Sequence, residues 1–69
     1  MLDDRVIRLM DKAISGNIFA AAQLGEGYMK GTFGQKNPEK AAKWLHYAAK
    51  HGNDHAEELL KKLNSGEMS

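Results

Sequence analysis

The feature of this sequence that most constrains its fold is an internal repeat at an offset of 36 residues. Shifting the chain by that distance superimposes pairs of identical residues: Leu9 and Leu45, Ala13 and Ala49, Gly16 and Gly52, Asn17 and Asn53, Ala20 and Ala56, Leu24 and Leu60. These residues are of the types that end a helix, form a turn and begin the next helix. The repeat therefore predicts a stack of helical hairpins, as in an α-solenoid.

Turn signals and apolar periodicity divide the chain into four predicted helices, at about residues 3–15, 18–30, 38–51 and 54–64. Asn37 is suited to cap the third helix and Pro38 to occupy its first turn. No segment alternates apolar and polar residues with the two-residue period of a strand. We therefore expect an all-α fold of four helices stacked as antiparallel helical hairpins. This would be a short α-solenoid with one full repeat and two half repeats, forming a single domain over residues 1–69.

A longer set of residues follows a known repeat pattern between residues 20 and 52. They are Ala20, Leu24, Gly25, Tyr28, Gly31, Lys40, Ala41, Trp44, Ala48, Ala49 and Gly52. In these residues and their spacing the chain resembles the SEL-one-like repeat (SLR) family, which is related to the tetratricopeptide repeat. The resemblance implies a non-enzymatic scaffold that binds a partner protein, and the offset of 36 residues extends it over nearly the whole chain.

The loop after the second helix departs from this family pattern. Phe33 stands where the pattern has its second loop glycine, Gly34 where it has valine, and Asn37 where it has aspartate. Because a phenylalanine is strained at positive φ, either Gly34 adopts that conformation one residue later or the loop has another shape.

Composition and residue types disfavour several classes of function. The chain has no cysteine, which excludes a disulfide or a thiolate metal site and favours the cytoplasm. No segment has the pattern of a signal peptide or a membrane span. The 10 Lys and Arg against 9 Asp and Glu give no strong net charge. His51 and His55 are separated by the Gly52-Asn53 break, so they lack the shared helical face of a metal-binding pair. We expect no enzymatic activity, no catalytic or cofactor-binding residues and no metal.

Two surfaces are candidates for binding a partner protein. The first is the polar arc of the third helix, where a tyrosine is predicted to project among lysines: Lys40, Lys43, Tyr47 and Lys50. That arrangement suits an acidic partner, although an ordinary solvated face has the same pattern. The second is an apolar edge of the second helix with its neighbours: Ile18, Ala22, Glu26, Met29 and Phe33. If it is exposed, this edge would be a binding patch.

The two ends of the predicted stack differ in character. On the first helix Ile7 and Ile14 widen the apolar arc beyond what one neighbouring helix needs. Burial of both by a curved second helix is the favoured interpretation, and the alternative is self-association as a homodimer or contact with a partner helix. On the outer face of the fourth helix, Glu57 and Lys61 are four residues apart, which is typical of a solvated end of a helical array.

Size and the lack of catalytic groups favour a small inhibitor or adaptor that binds a larger protein or complex. An immunity protein or a phage- or plasmid-borne antagonist of a bacterial complex is the more specific hypothesis, and the start at Met1 with a short polar tail favours a complete small protein. The alternative is a weak nucleic-acid-binding protein that uses the lysine-rich face of the third helix. This alternative is disfavoured because that face carries no arginine, the residue best suited to reading bases.

Overall fold

The computed structural model describes residues 4–65, and in that range the chain forms four helices and no strand. They are α1 (Asp4–Ile14), α2 (Ile18–Lys30), α3 (Pro38–Lys50) and α4 (Asp54–Ser65). The predicted all-α class is therefore confirmed. α2 has its predicted limits, and α1, α3 and α4 end within one residue of theirs. The predicted start of the first helix, at residue 3, lies outside the described residues.

Two turns of the same geometry connect α1 to α2 and α3 to α4. Gly16 and Gly52 adopt positive φ angles of 102° and 95°, which residues with side chains avoid. The N–H of the following asparagine, Asn17 or Asn53, donates to the carbonyl oxygen five residues earlier, at 2.9 and 3.0 Å. Its side-chain oxygen accepts from the N–H three residues later, at 3.0 and 2.8 Å, and so caps the next helix. The repeat in the sequence is therefore also a repeat of backbone geometry.

α2 is the central helix and packs against each of the other three. Gly25 allows the close approach of α3, because a Cβ atom there would lie 2.5 Å from Cγ of Leu45 and 3.1 Å from its backbone nitrogen. Leu45 and Leu24 are fully buried. Nearer the loop, the N–H of Asn37 donates to the carbonyl oxygen of Tyr28 at 2.8 Å. These contacts make α2 and α3 an antiparallel hairpin.

The loop between α2 and α3 holds Phe33 without backbone strain. Gly34 has a positive φ angle of 109°, and in the described range no residue other than glycine has one. Of the two alternatives left open for this loop, the structure has the one in which Gly34, and not residue 33, adopts a positive φ angle. Phe33 turns back onto α2, where a Cβ atom at Gly27 would overlap its ring. The ring also packs edge-on against Tyr28, with the centroids 5.7 Å apart.

Candidate functional site

A shallow groove of about 490 Å³ lies between α1 and α2. Three cationic side chains line it, Arg5 and Arg8 from α1 and Lys30 from α2, together with one carboxylate, Glu26. The groove is therefore positively charged, although the whole chain has a formal charge of only +1.

The floor of the groove is apolar. Leu9 of α1 is half-buried there, and Gly27 of α2 leaves room for the ring of Phe33. The guanidinium of Arg5 lies 6.0 Å from the centroid of that ring, within the range of a cation–π contact. An apolar floor with a few charged groups at its border is the usual composition of a binding site.

Glu26 is paired on both sides. Its carboxylate accepts a hydrogen bond from the Lys30 ammonium at 2.9 Å and lies 3.5 Å from the imidazole Nε2 of His55 on α4. The hydrogen bond from Lys30 is the main cause that lowers the pKa of Glu26; the charges of Lys30 and His55 add to it, and partial burial opposes it. Glu26 is therefore ionised at neutral pH and its charge is balanced by Lys30. The lining of the groove therefore carries three cationic side chains against this one carboxylate.

The apolar edge of α2 that was proposed as a binding patch is not exposed. Ala22 and Met29 are 4% and 3% exposed, and Ile18 is half-buried against the core. The condition for a binding patch at this edge, its exposure, is therefore not met at Ala22 and Met29. The reason is that α1, α3 and α4 pack on α2, so that more than one of its faces is buried. Of the residues proposed there, Glu26 and Phe33 do line the groove.

The surface proposed on α3 is only partly as expected. Tyr47 does not project freely, since it is half-buried and packs against the core. Its ring meets that of Trp44 edge-on with the centroids 6.3 Å apart, and lies 4.6 Å from the ring of His51. The lysines predicted to surround it are exposed: Lys40, Lys43 and Lys50. This face is therefore basic, but Tyr47 packs against neighbouring side chains of the same chain segment, Trp44 and His51, and does not project into solvent as predicted.

The two isoleucines of α1 are exposed. Ile7 is 42% and Ile14 78% exposed, so the expectation that α2 covers them is wrong. The buried stripe of α1 runs through Val6 and Ala13, and both isoleucines fall beside it. Phe19, which the sequence reasoning did not single out, is 77% exposed at the start of α2. Self-association through these residues stays a prediction.

The sequence reasoning also missed Arg5 and Arg8 as residues of the groove. The repeat contained a signal for them, because a shift of 36 residues makes Arg5 equivalent to Ala41 and Arg8 equivalent to Trp44. Cations therefore stand on α1 where α3 has apolar residues.

The chain matches no family model, and comparisons with curated proteins and with solved structures give no match. Within residues 4–65, no group of three or more His, Cys, Asp or Glu side chains is placed to hold a metal ion. None of the four described helices combines the length and the apolarity needed to cross a bilayer.

Proposed function

We propose that this protein is a non-enzymatic protein–protein interaction module, a small inhibitor or adaptor that binds an acidic segment of a larger protein or complex. The observation that carries the proposal is the groove between α1 and α2, where Arg5, Arg8 and Lys30 border an apolar floor. Arginine and aromatic residues, phenylalanine among them, are enriched at the cores of protein–protein interfaces. The groove contains both, with Arg5 beside the ring of Phe33.

The proposal extends to the kind of scaffold. We infer a short SLR-type array, and the support for it is the repeated turn at Gly16 and Gly52 together with the antiparallel packing of α2 and α3. Arrays of stacked hairpins present extended surfaces on which partners bind. Because the sequence contains no cysteine, we place the interaction in the cytoplasm as part of the proposal.

Photo-crosslinking tests the proposal with the whole chain. Gln23 is an exposed residue of the groove, and Glu58 is an exposed residue of α4 outside it. Each is replaced in turn by benzoylphenylalanine, and the variants are irradiated in bacterial lysate. We expect the Gln23 variant to form discrete protein adducts that survive nuclease treatment, and Arg8→Glu in the same chain to abolish them. No protein adduct at Gln23, or the same adducts from Glu58, would contradict the proposal.

Weak nucleic-acid binding is a second candidate function, favoured by a depression of about 380 Å³ between α1 and α3. Two lysines and two aromatic side chains of α3 line it, together with a methionine of α1: Lys40, Lys43, Trp44, Tyr47 and Met10. Aromatic rings beside cations can stack bases and contact the phosphates of a single strand. Fluorescence anisotropy with a labelled oligonucleotide tests this candidate. Binding that falls steeply with salt and is lost in Lys43→Glu would support it, and no binding at low salt would exclude it.

A further inference from the structure

The repeat relates the pair of helices α1 and α2 to the pair α3 and α4. The groove between α1 and α2 is therefore equivalent to the groove between α3 and α4, in which α2 lies. α2 packs against both α3 and α4, and α3 packs against α4, so α2 occupies the groove between those two helices. The offset of 36 residues relates α1 to α3 and α2 to α4, as the identical turns show. Among the described helices, none lies on α1 and α2 as α2 lies on α3 and α4.

The two equivalent surfaces differ in a consistent way. On α3, three fully buried residues form a stripe: Ala41, Leu45 and Ala48. The central one, Leu45, contacts α2 at Gly25. On α1, the equivalent residues are Arg5, Leu9 and Lys12. The central leucine is the same, and a cation replaces the alanine on each side of it. Arg8 likewise stands at the position of Trp44. The surface of α1 therefore has an apolar centre and positive flanks, where the equivalent surface of α3 is apolar throughout.

We propose that the α1–α2 groove is the binding site for an acidic amphipathic helix of the partner, which packs on Leu9 as α2 packs on Leu45. This inference rests on the function proposed above and specifies the chemistry of the partner. Leu9 is only half-buried, and Arg8 and Lys12 are exposed, so the surface is accessible. Complementary charge selects an acidic helix over a neutral or basic one.

The α2–α3 pair predicts the register of the bound helix. Gly25 lies against Leu45, and Tyr28 and Ala21 follow on the same face of α2, one turn to either side. The bound helix should therefore present a small residue to Leu9. Acidic residues at the two flanking positions would then meet the cations of α1.

A second copy of this chain is a poor occupant of the groove. α4 is the helix equivalent to α2, and it carries Glu57 and Lys61 at the positions of Ala21 and Gly25. The two exposed side chains form an ion pair with each other at 3.8 Å. A lysine at the position that must be small would also prevent close approach to Leu9.

The test uses the full-length chain and a synthetic helix derived from α2. The probe is a stapled, fluorescently labelled peptide of residues 18–30 with Ala21→Glu and Tyr28→Glu, and its control carries Ala21→Lys and Tyr28→Lys. In fluorescence anisotropy the acidic peptide should bind the protein at least about tenfold more tightly than the basic control peptide. The reason is that affinities with matched and with mismatched charge pairs differ by about that factor. Arg8→Glu in the protein should weaken this binding about tenfold. The same charge reversal at Lys62, an exposed residue of α4 outside the groove, should change it less than about twofold.

A third peptide tests the fit at the centre of the groove. Gly25→Leu in the acidic probe should abolish binding, since the larger side chain would overlap Leu9. Equal binding of the acidic and basic peptides, or tolerance of Gly25→Leu, would overturn the inference. So would head-to-tail oligomers in sedimentation velocity, because a second copy would then fill the groove. If these tests fail while the Gln23 adducts persist, the inference of an acidic helix is overturned, and the groove binds a partner segment of another kind. If the adducts are also absent, the proposed function fails as well.

Discussion

The close contact between α2 and α3 can be tested with a single methyl group. A Cβ atom at Gly25 would lie 2.5 Å from Cγ of Leu45 and 3.1 Å from its backbone nitrogen, and that leucine is fully buried. Because neither atom is the free end of a side chain, the two helices must separate to admit the methyl group. Overpacking of this kind costs about 3 kcal/mol at the upper end of its usual range. Replacing glycine by alanine within a helix offsets about 1 kcal/mol, so Gly25→Ala should lose about 2 kcal/mol of unfolding free energy.

Urea unfolding, followed by circular dichroism and by the fluorescence of Trp44, measures this loss. A chain of this size has a total stability of only about 3–5 kcal/mol, so the transition should shift strongly, with a fall in Tm of about 10 °C. Gly27→Ala is the matched control, because its Cβ would meet the ring of Phe33, which is half-buried and can move outward. We expect the control to cost less than about 1 kcal/mol, since the gain in helix propensity offsets displacement of the ring.

A Gly25→Ala protein as stable as the wild type would refute the close approach of the two helices. A control variant less stable than Gly25→Ala would refute the reasoning about which neighbour can move. A double-mutant cycle with Leu45→Ala gives a second check. Because removal of the leucine side chain leaves space for the methyl group, Gly25→Ala should cost less in that background than in the wild type.

Three further predictions concern a helix cap, pH and an exposed isoleucine. Asn53→Ala should lose about 1 kcal/mol in urea unfolding because the Ala56 N–H loses its cap, whereas Asn53→Asp should keep most of it. The hydrogen bond from Lys30 lowers the pKa of Glu26 below its ordinary value of 4.5. The ionised carboxylate therefore stabilises the fold fully at pH values above 4.5, and this stabilisation is lost as the pH falls through the lower pKa of the folded state. Glu26→Gln should remove this pH dependence, an effect below about 1 kcal/mol between about pH 7 and pH 3. Ile14→Lys, which introduces the residue that α3 carries at the equivalent position, should change stability by less than about 0.5 kcal/mol and abolish any dimer in sedimentation velocity. A larger loss would show that this side chain packs in the core.

The helices were predictable from the sequence because the signals that begin and end them are local. Asn37 and Pro38 determine the start of α3 through a side-chain cap and a fixed φ angle, which depend on only a few neighbouring residues. The burial of α2 was not predictable in the same way. Apolar periodicity identifies one buried face, whereas Ala22 and Met29 are buried because three helices surround α2, and that arrangement is a property of the tertiary structure.

The groove could be predicted only in part, because its residues come from separate helices. Glu26 and Phe33 were proposed from the sequence, but Arg5 and Arg8 join them only when α1 packs on α2. The return of Phe33 onto Gly27 also depends on the path of the loop, which departs from the family pattern. Comparison of repeat positions was the one available signal for the arginines.

The position of α1 at the end of the stack has a consequence for the dynamics of the protein. Among the described helices, α1 packs closely against α2 alone, whereas α2 packs against three others. In a linear array the terminal unit has one neighbour to stabilise it, so amide hydrogens of α1 should exchange through a partial opening that leaves α2, α3 and α4 folded. Because α1 forms one wall of the groove, each such opening removes the binding surface. A ligand in the groove should therefore protect the amides of α1 far more than those of α4, and so make the unfolding of α1 cooperative with that of the other three described helices.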